Sequence, residues 1–335
     1  AGGWEEPFCV EAFAAFARLC AREYGDLVST WTTFNEPNVF VYQGWFQGYW
    51  PPQKRDPKLG ARVFRHLLAA HAAAYREIKA APHGGASRVG VAQHLRVFAP
   101  FRPWSPLDRV AAALPDAGFN HWFLRGCTDG GAGFPLGTTE RVPEAAGTLD
   151  WIGVNYYSRD MVAFDPRQPG NLFSRTFPKP GAELSDFQME VYPEGLHTVL
   201  TDTWERYGKP VCVTENGVAD ADDRIRPRAL VAHLAEAARA LREGVDLFGY
   251  LHWSTMDNFE WAEGFSMRFG LVAVDFETQA RTPRPSAALY SRIIARGGLA
   301  WSELQEHHPR ALRYFVGAGS QPVRRQPSRT SNSPL

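Results

Sequence analysis

Cysteine and net charge are what this sequence has least of. Only four cysteines occur in 335 residues, and none has the C-x-x-C spacing of a metal or redox site. We therefore expect free thiols, no structural disulfide and a reducing, cytoplasmic compartment. Lysine plus arginine equals aspartate plus glutamate at 36 each, so the charge balance indicates no nucleic acid or other polyanion as a partner.

Long apolar runs and ligand-binding signatures are also missing. No stretch approaches the roughly 18 apolar residues of a membrane span, so no membrane partner is predicted. The ten histidines are scattered and no G-x-G-x-x-G opens a helix after a strand, so we expect neither a metal nor a cofactor. Aromatic residues are abundant instead, with 11 Trp, 22 Phe and 11 Tyr. Most should fill the core, but exposed indoles suit stacking on sugar rings.

Strand-like and helix-like segments alternate along the chain. The patterns predict strands at 28–34, 88–93, 149–156, 210–214 and 247–253, and helices at 5–24, 61–80, 193–207, 227–243 and 285–296. Such alternation is typical of parallel strands joined by helical crossovers, in a β/α barrel or an open doubly wound sheet. The Pro- and Gly-rich stretch 159–186 is predicted to be an irregular, functional loop.

Two short motifs place a glutamate beside an asparagine at the end of a predicted strand. They read TFNEP at 33–37 and VTENG at 213–217. In a barrel, the carboxyl ends of all strands meet around one cavity, so Glu36 and Glu215 would converge. Either glutamate alone would more often be paired with arginine or solvated. Two carboxylates together are what cleavage of a glycosidic bond requires.

A third stretch, LHWSTMDNFEW at 251–261, follows the last predicted strand. Glu260 could accept hydrogen bonds from two sugar hydroxyls, and Trp253 and Trp261 offer flat faces to the ring. The alternative is an aromatic loop packed at the barrel mouth, with Glu260 neutralised by Arg268.

Four motifs, taken in order, resemble the signatures of the family 1 glycoside hydrolases, the retaining β-glucosidases. They are TFNEP at 33–37, Asn155-Tyr156-Tyr157, TENG at 214–217 and DNFEW at 257–261. The resemblance covers residues 2–296 and implies an α/β fold, the TIM (β/α)8 barrel. It also implies hydrolysis of terminal β-D-glucosyl residues, with galactosyl or fucosyl as alternatives, from small-molecule β-glucosides or oligosaccharides.

The resemblance assigns a role to each matching residue. Glu36 would be the general acid/base, with its pKa raised by the neighbouring charge of Glu215, the nucleophile. Retention of configuration would require the two carboxyls about 5–5.5 Å apart. Asn35 would hydrogen-bond the sugar 2-hydroxyl, Asn155 would lie near Glu36, and Tyr157 would orient Glu215 by a hydrogen bond. The sugar itself would be held by Glu260 at its 4- and 6-hydroxyls, by Trp253 as the platform under the ring and by Trp261 at the 3-hydroxyl. Glu260 with Trp261 also favours an unphosphorylated sugar.

The chain departs from the family pattern at both ends. The family's acid/base follows strand four, whereas Glu36 follows the first strand here, so we expect an incomplete barrel containing strands four to eight. The expected organisation is a catalytic domain at 1–298, an extra C-terminal helix at 299–316 and a disordered tail at 317–335. On this interpretation the chain is a fragment of a longer protein, with a naturally truncated protein as the alternative. We expect little activity and a tendency to aggregate when it is purified alone.

Two other functions compete with hydrolysis. The first is a catalytically inactive truncated barrel that acts as a sugar-binding module, or a non-functional fragment. The presence of both glutamates argues against it, and the lack of three strands argues for it. The second is an endo-acting enzyme of a related barrel, which the Glu260–Trp261 pair disfavours because it indicates a closed pocket for one terminal sugar. The sequence does not predict an oligomeric state.

Overall fold

The computed structural model describes residues 2–133 and 140–315, which form a parallel sheet flanked by helices. The parallel strands are β1 (Thr30–Asn35), β2 (Arg88–Pro100), β3 (Trp151–Phe164), β5 (Val211–Asn216) and β6 (Leu247–Tyr250), and their order in the sheet is β1-β2-β3-β5-β6. All five predicted strands are confirmed. Within the described residues, β1 and β6 form the two edges of an unclosed sheet.

Helices lie between successive strands, as the alternation predicted. They are α1 (Phe8–Tyr24), α2 (Pro37–Val41), α3 (Pro57–Ala80), α4 (Pro106–Pro115), α5 (Trp122–Asp129), α6 (Glu194–Tyr207), α7 (Arg226–Arg242) and α8 (Pro285–Arg296). The start of α3 shows why these boundaries fall where they do. Asp56 accepts hydrogen bonds from two free N–H groups of the first turn, and Pro57 occupies the first helical position.

The main hydrophobic core lies between the sheet and its helices. Phe64 and Leu67 of α3 and Phe123 of α5 pack with Ile152 and Val154 of β3, and all five side chains are essentially inaccessible to solvent. The central strands β2, β3 and β5 are mostly buried in their amino-terminal halves, whereas the edge strands β1 and β6 are only partly buried. Polar side chains of the central strands lie mainly toward the carboxyl ends.

The segment predicted as an irregular loop at 159–186 contains regular structure. β3 continues to Phe164 and pairs antiparallel with β4 (Ser174–Phe177). The extension is held because Val162 is buried against Ala111 and Ala112 of α4. The Pro and Gly residues that suggested a loop lie mainly in the connections outside the paired segments. A second hairpin, β7 (Val272–Val274) with β8 (Arg281–Pro283), was not predicted at all.

The predicted single helix at 299–316 is two short helices. They are α9 (Trp301–His307) and α10 (Leu312–Phe315), separated by a 3-10 turn at Pro309–Ala311. Proline lacks the N–H that would continue α9, so the helix ends before it. Leu304 and Ala311 pack against Leu230 and Val231 of α7. The predicted tail at 317–335 lies outside the described residues.

The described part of the chain has no helix long and apolar enough to cross a membrane. Nor do residues 2–133 and 140–315 contain a group of His, Cys, Asp or Glu side chains placed to hold a metal ion. All four cysteines are free thiols, and Cys127 and Cys212 are buried.

Candidate active site

The carboxyl edge of the sheet gathers the polar residues of separate strands into one row. In the strand register, His94 of β2 lies opposite Asn155 of β3, which in turn lies opposite Glu215 of β5. Glu36, directly after β1, is tied to β2 by its N–H, which donates to the Ala92 carbonyl at 2.8 Å. Parallel pairing thus brings together residues that are distant in sequence.

Glu36 has an unusual backbone. Its φ of 49° and ψ of 52° lie in the left-handed region, where a residue with a side chain costs of order 1–3 kcal/mol. Pro37 follows immediately at the first position of α2. Pairing with β2 on one side and α2 on the other holds this conformation. Such strain is concentrated at functional sites, and here it aims the Glu36 side chain at the row of polar residues.

Asn155 is the centre of the hydrogen-bond network and is completely buried. Its Nδ2 donates to Glu36 Oε1 and to Asn35 Oδ1, both at 2.9 Å. Its Oδ1 accepts from the Thr214 hydroxyl at 2.5 Å. Because the ionised Glu36 carboxylate can only accept, the Asn155 NH2 group must face it, and the Asn155 oxygen then faces the Thr214 hydroxyl.

Glu215 is oriented by a neighbouring tyrosine. The Tyr157 hydroxyl donates to Glu215 Oε2 at 2.5 Å, and the Asn35 side chain also donates to this carboxylate. The next residue, Asn216, donates to the Tyr156 carbonyl and accepts from the Tyr250 hydroxyl, both at 2.7 Å. The end of β5 is thus clamped to both of its neighbouring strands.

Gly217 completes the turn after Glu215. A Cβ at this position would lie 1.8 Å from the carbonyl oxygen of Trp253, so no larger residue fits. The glycine therefore allows the chain after β5 to pass directly beside the chain after β6. This close approach brings the loop that begins at Trp253 next to Glu215.

The two carboxyls have opposite pKa shifts. Burial and the nearby charge of Glu36 raise the pKa of Glu215 to about 8, although hydrogen bonds from Tyr157 and Asn35 work against this. Burial also acts to raise the pKa of Glu36, but His94, the Asn155 donor and the charge of Arg96 bring it below its ordinary value. In this structure the pKa of Glu215 is raised and that of Glu36 is lowered, which is the reverse of the order expected from the sequence.

His94 and Arg96, which the sequence analysis did not single out, cause much of this reversal. His94 Nδ1 lies 3.1 Å from Glu36 Oε1, and Arg96 Nε donates to His94 Nε2 at 3.1 Å. Arg96 is held in turn by Asp160 at 2.9 Å. Both residues lie near the carboxyl end of β2, where the register with β3 shifts between Leu95 and Val97. No local sequence motif marks them.

The loop after β6 places the predicted sugar-binding residues. Asp257, only 3% exposed, receives two 3.0 Å hydrogen bonds from Arg284 and others from the backbone of Gly270 and Val274. Arg268 lies 3.6 Å from Asp257. The alternative interpretation supposed that Arg268 neutralises Glu260. In the structure, Arg268 pairs with Asp257 instead.

Glu260 lies close to the row of polar residues at the carboxyl edge of the sheet. Burial and the charge of Glu36 raise its pKa to about 7, while the Trp253 side chain donates a hydrogen bond to it. Trp253 packs beside Tyr157 and Phe269, which places its ring next to the residue that orients Glu215. Glu260 and Trp253 thus belong to the same site as Glu36 and Glu215.

Trp261 forms one wall of the cleft that leads to Glu36. Its ring is 61% exposed and stacks on Trp50 with centroids 4.9 Å apart. Asn35, Glu36 and Pro37 line the same cleft, which has a volume of about 180 Å³. The structure therefore brings together all eight residues singled out from the sequence, and it adds Trp50 and Thr214.

Comparison with known proteins agrees with this geometry. The model of glycosyl hydrolase family 1 matches residues 1–299. The chain belongs to this family. It is 37% identical over 308 residues to a beta-galactosidase of Saccharolobus solfataricus, a match that covers 89% of this chain and 61% of that protein.

Solved structures show the same relationship. A beta-glycosidase from Pyrococcus horikoshii is 33% identical with a TM-score of 0.84, and the match covers 91% of this chain and 70% of that one. A beta-glucosidase from Thermotoga maritima in complex with deoxynojirimycin is 32% identical with a TM-score of 0.82, covering 89% and 71%. The fold is therefore that of the family 1 TIM barrel, and the described residues contain five of its eight parallel strands.

The chain spans about three fifths of the length of the first curated relatives it matches, which are two beta-galactosidases at 61% each.

Proposed function

We propose that this chain carries the catalytic centre of a retaining β-glycosidase that removes terminal, non-reducing β-D-glucosyl residues. Galactosyl and fucosyl residues are alternatives. The observation that carries the proposal is the convergence of Glu36 and Glu215 at the ends of β1 and β5, with Asn155 bonded to Glu36 and Tyr157 bonded to Glu215. Two carboxyls arranged in this way are the machinery of double displacement.

The first step requires a proton on Glu36 and a negative charge on Glu215. Between them the pair holds one proton near neutral pH, since the pKa of Glu215 is about 8 and that of Glu36 is lowered. Positive charge that develops at the anomeric carbon lies beside Glu215 and favours its ionised form. Tyr157 and Asn35 stabilise the same form by donating to it. The proton then belongs to Glu36, which delivers it to the leaving oxygen.

The second step reverses the role of Glu36. Once Glu215 is bonded to the sugar, its charge no longer opposes ionisation of Glu36. His94 and Asn155 both stabilise the Glu36 carboxylate, which can then remove a proton from water as the water attacks the glycosyl-enzyme. Retention follows from two inversions, for which we expect a carboxyl separation of about 5–5.5 Å.

The cleft is suited to a neutral sugar. Glu260 accepts a hydrogen bond from Trp253 and retains oxygen atoms that can accept from sugar hydroxyls. Trp253 and Trp261 offer aromatic faces, and Asn35 lies between the two catalytic carboxyls, where the 2-hydroxyl would be. The names of the relatives, which include beta-galactosidase and beta-glucosidase, and the imino sugar in one solved neighbour support this substrate class.

Trapping of the glycosyl-enzyme tests the proposal directly. The protein is incubated with 2-deoxy-2-fluoro-β-D-glucosyl fluoride, whose good leaving group needs little acid assistance, and is then digested for mass spectrometry. We expect one adduct, on Glu215. Glu36→Gln should still form it, and Glu215→Gln should not. An adduct on another residue, or none from protein that circular dichroism shows to be folded, would refute the proposal.

An inactive sugar-binding module is the alternative, and the unclosed sheet edges at β1 and β6 favour it. Calorimetric binding of deoxynojirimycin without any adduct or hydrolysis of p-nitrophenyl β-glucoside would support that alternative instead.

A further inference from the structure

Four charged and polar side chains form a series of hydrogen bonds that leads from Glu36 away from the cleft. It passes from Glu36 to His94, from His94 to Arg96 and from Arg96 to Asp160, with contacts of 3.1, 3.1 and 2.9 Å. His94 is 5% exposed, so water does not compete for its ring nitrogens. The mechanism proposed above uses His94 only as a donor that stabilises the Glu36 carboxylate, and it gives no role to Arg96 or Asp160.

This series of hydrogen bonds determines the tautomer of His94. A guanidinium group has donors only, so Arg96 Nε must donate and His94 Nε2 must accept. Nε2 therefore carries no proton, and the proton of the neutral ring lies on Nδ1. Nδ1 faces Glu36 Oε1, to which it donates. Asp160 fixes the position of Arg96 and thereby fixes the direction of the whole series of hydrogen bonds.

The two donors to Glu36 act on one oxygen atom. Both His94 and Asn155 donate to Oε1. In the described part of the chain, the hydrogen bonds found for this carboxyl all end on Oε1, which leaves Oε2 as the oxygen that can carry a proton. Fixing which oxygen is protonated matters for a general acid, because the proton must point at the leaving group.

We propose that His94, held in its Nδ1–H tautomer by Arg96 and Asp160, is a positioning residue that fixes Glu36 through Oε1 and reserves Oε2 for proton transfer. The inference rests on the proposed function, since it assigns Glu36 as the acid/base. Its consequence is that His94 favours the ionised form of Glu36, the form that acts as base in the second step. Asn155 alone would leave the carboxyl with a single donor.

Other titratable groups also influence Glu36. Those that face it are Arg96 on β2, Tyr157 on β3, Glu215 on β5 and Glu260 after β6. Arg96 donates to His94 Nε2, and the Tyr157 ring lies 5.6 Å from the His94 ring, so replacing His94 disturbs these two groups as well. A variant that keeps the donor to Glu36 therefore separates the effect of the lost hydrogen bond from theirs.

The first experiment reads the tautomer and needs no activity. Protein with 15N-labelled histidine is studied by long-range 1H–15N NMR, and the His94 signals are identified by their absence in His94→Gln. We expect a proton on Nδ1 and none on Nε2, and we expect this preference to be lost in Arg96→Met. A wild-type ring protonated at Nε2, or at both nitrogens, would overturn the inference even if the protein hydrolyses glucosides.

The second experiment measures how the loss of the His94 donor changes the pH dependence of hydrolysis. His94→Leu removes the donor and raises the pKa of Glu36, the lower of the pair, so the acid limb of kcat/KM for p-nitrophenyl β-glucoside should move up by about one pH unit. His94→Gln, which keeps an N–H donor, should return the profile most of the way to that of the wild type. His83→Leu, at an exposed histidine that precedes β2, should leave the profile unchanged. An unmoved acid limb in His94→Leu refutes the role. A protein without turnover or trapped adduct refutes the proposed function instead, and the NMR result then still decides the tautomer.

Discussion

Replacing Glu215 with Gln should stabilise the protein at alkaline pH. The folded state raises the pKa of this carboxyl from 4.5 to about 8, through burial and the charge of Glu36. Between those two pH values the folded protein binds a proton that the unfolded chain releases. Stability is therefore lost as pH rises from 4.5 to 8, and the loss is complete above 8. Glutamine cannot ionise, so the variant avoids this loss.

The expected size follows from the shift. A difference of 3.5 pKa units corresponds to about 4.8 kcal/mol. Because Glu215 and Glu36 titrate as a pair, part of that energy belongs to Glu36, and we expect about 2–3 kcal/mol for the single replacement. An unfolding entropy of about 2.1 cal/mol/K per residue amounts to roughly 0.7 kcal/mol/K for this chain, so Tm should rise by about 3–4 °C.

Differential scanning calorimetry from pH 5 to pH 9 measures the effect. The gain in Tm of Glu215→Gln over the wild-type protein should be small at pH 5, grow through neutrality and level off above pH 8. Glu205→Gln, at an exposed position on α6, serves as the matched control and should give no such growth. If the Tm curves of Glu215→Gln and wild type run parallel over this range, the carboxyl is not held in an unfavourable charge state and the reasoning is refuted.

Two other replacements test the site around these carboxyls. Tyr157→Phe removes the donor to Glu215 Oε2 and raises the higher pKa of the pair, so the alkaline limb of kcat/KM should move up by about 1–2 pH units; a pH profile identical to the wild-type one would contradict the assigned role. Asp257→Asn breaks the buried pair with Arg284 and should lower the free energy of unfolding in urea by about 3–5 kcal/mol while raising KM; a loss below 1 kcal/mol would show that the pair does not hold the loop.

The strands and the main helices could be predicted because their signals are local. Buried parallel strands such as β3 and β5 begin as continuous apolar runs, and helices such as α3 repeat apolar residues at helical spacing. The Asp-Pro cap of α3 was missed, since that helix was predicted to begin at residue 61. The same local logic failed at β4, where pairing with the extension of β3 outweighed a Pro- and Gly-rich composition. It failed again at Pro309, where one proline divided a helix whose apolar spacing looked continuous.

The candidate site was predicted in part for a related reason. Glu36, Glu215 and Glu260 lie in distinctive motifs, so their membership of one site could be anticipated from the sequence. His94 and Arg96 lie in a strand whose local pattern is ordinary, and their importance comes from contacts across the sheet. The order of the two pKa values was predicted the wrong way round because it depends on those same contacts.

The amino-acid sequence alone determined the fold class, the family and the residues proposed to carry the chemistry, since these follow from periodic patterns and short motifs. Only the tertiary structure decided the order of the two carboxyl pKa values, which oxygen of Glu36 is free and where Arg268 pairs. Each of these depends on burial and on donors brought within about 3 Å from other strands. Electrostatic energies change steeply over such distances, and spacing along the chain does not encode them.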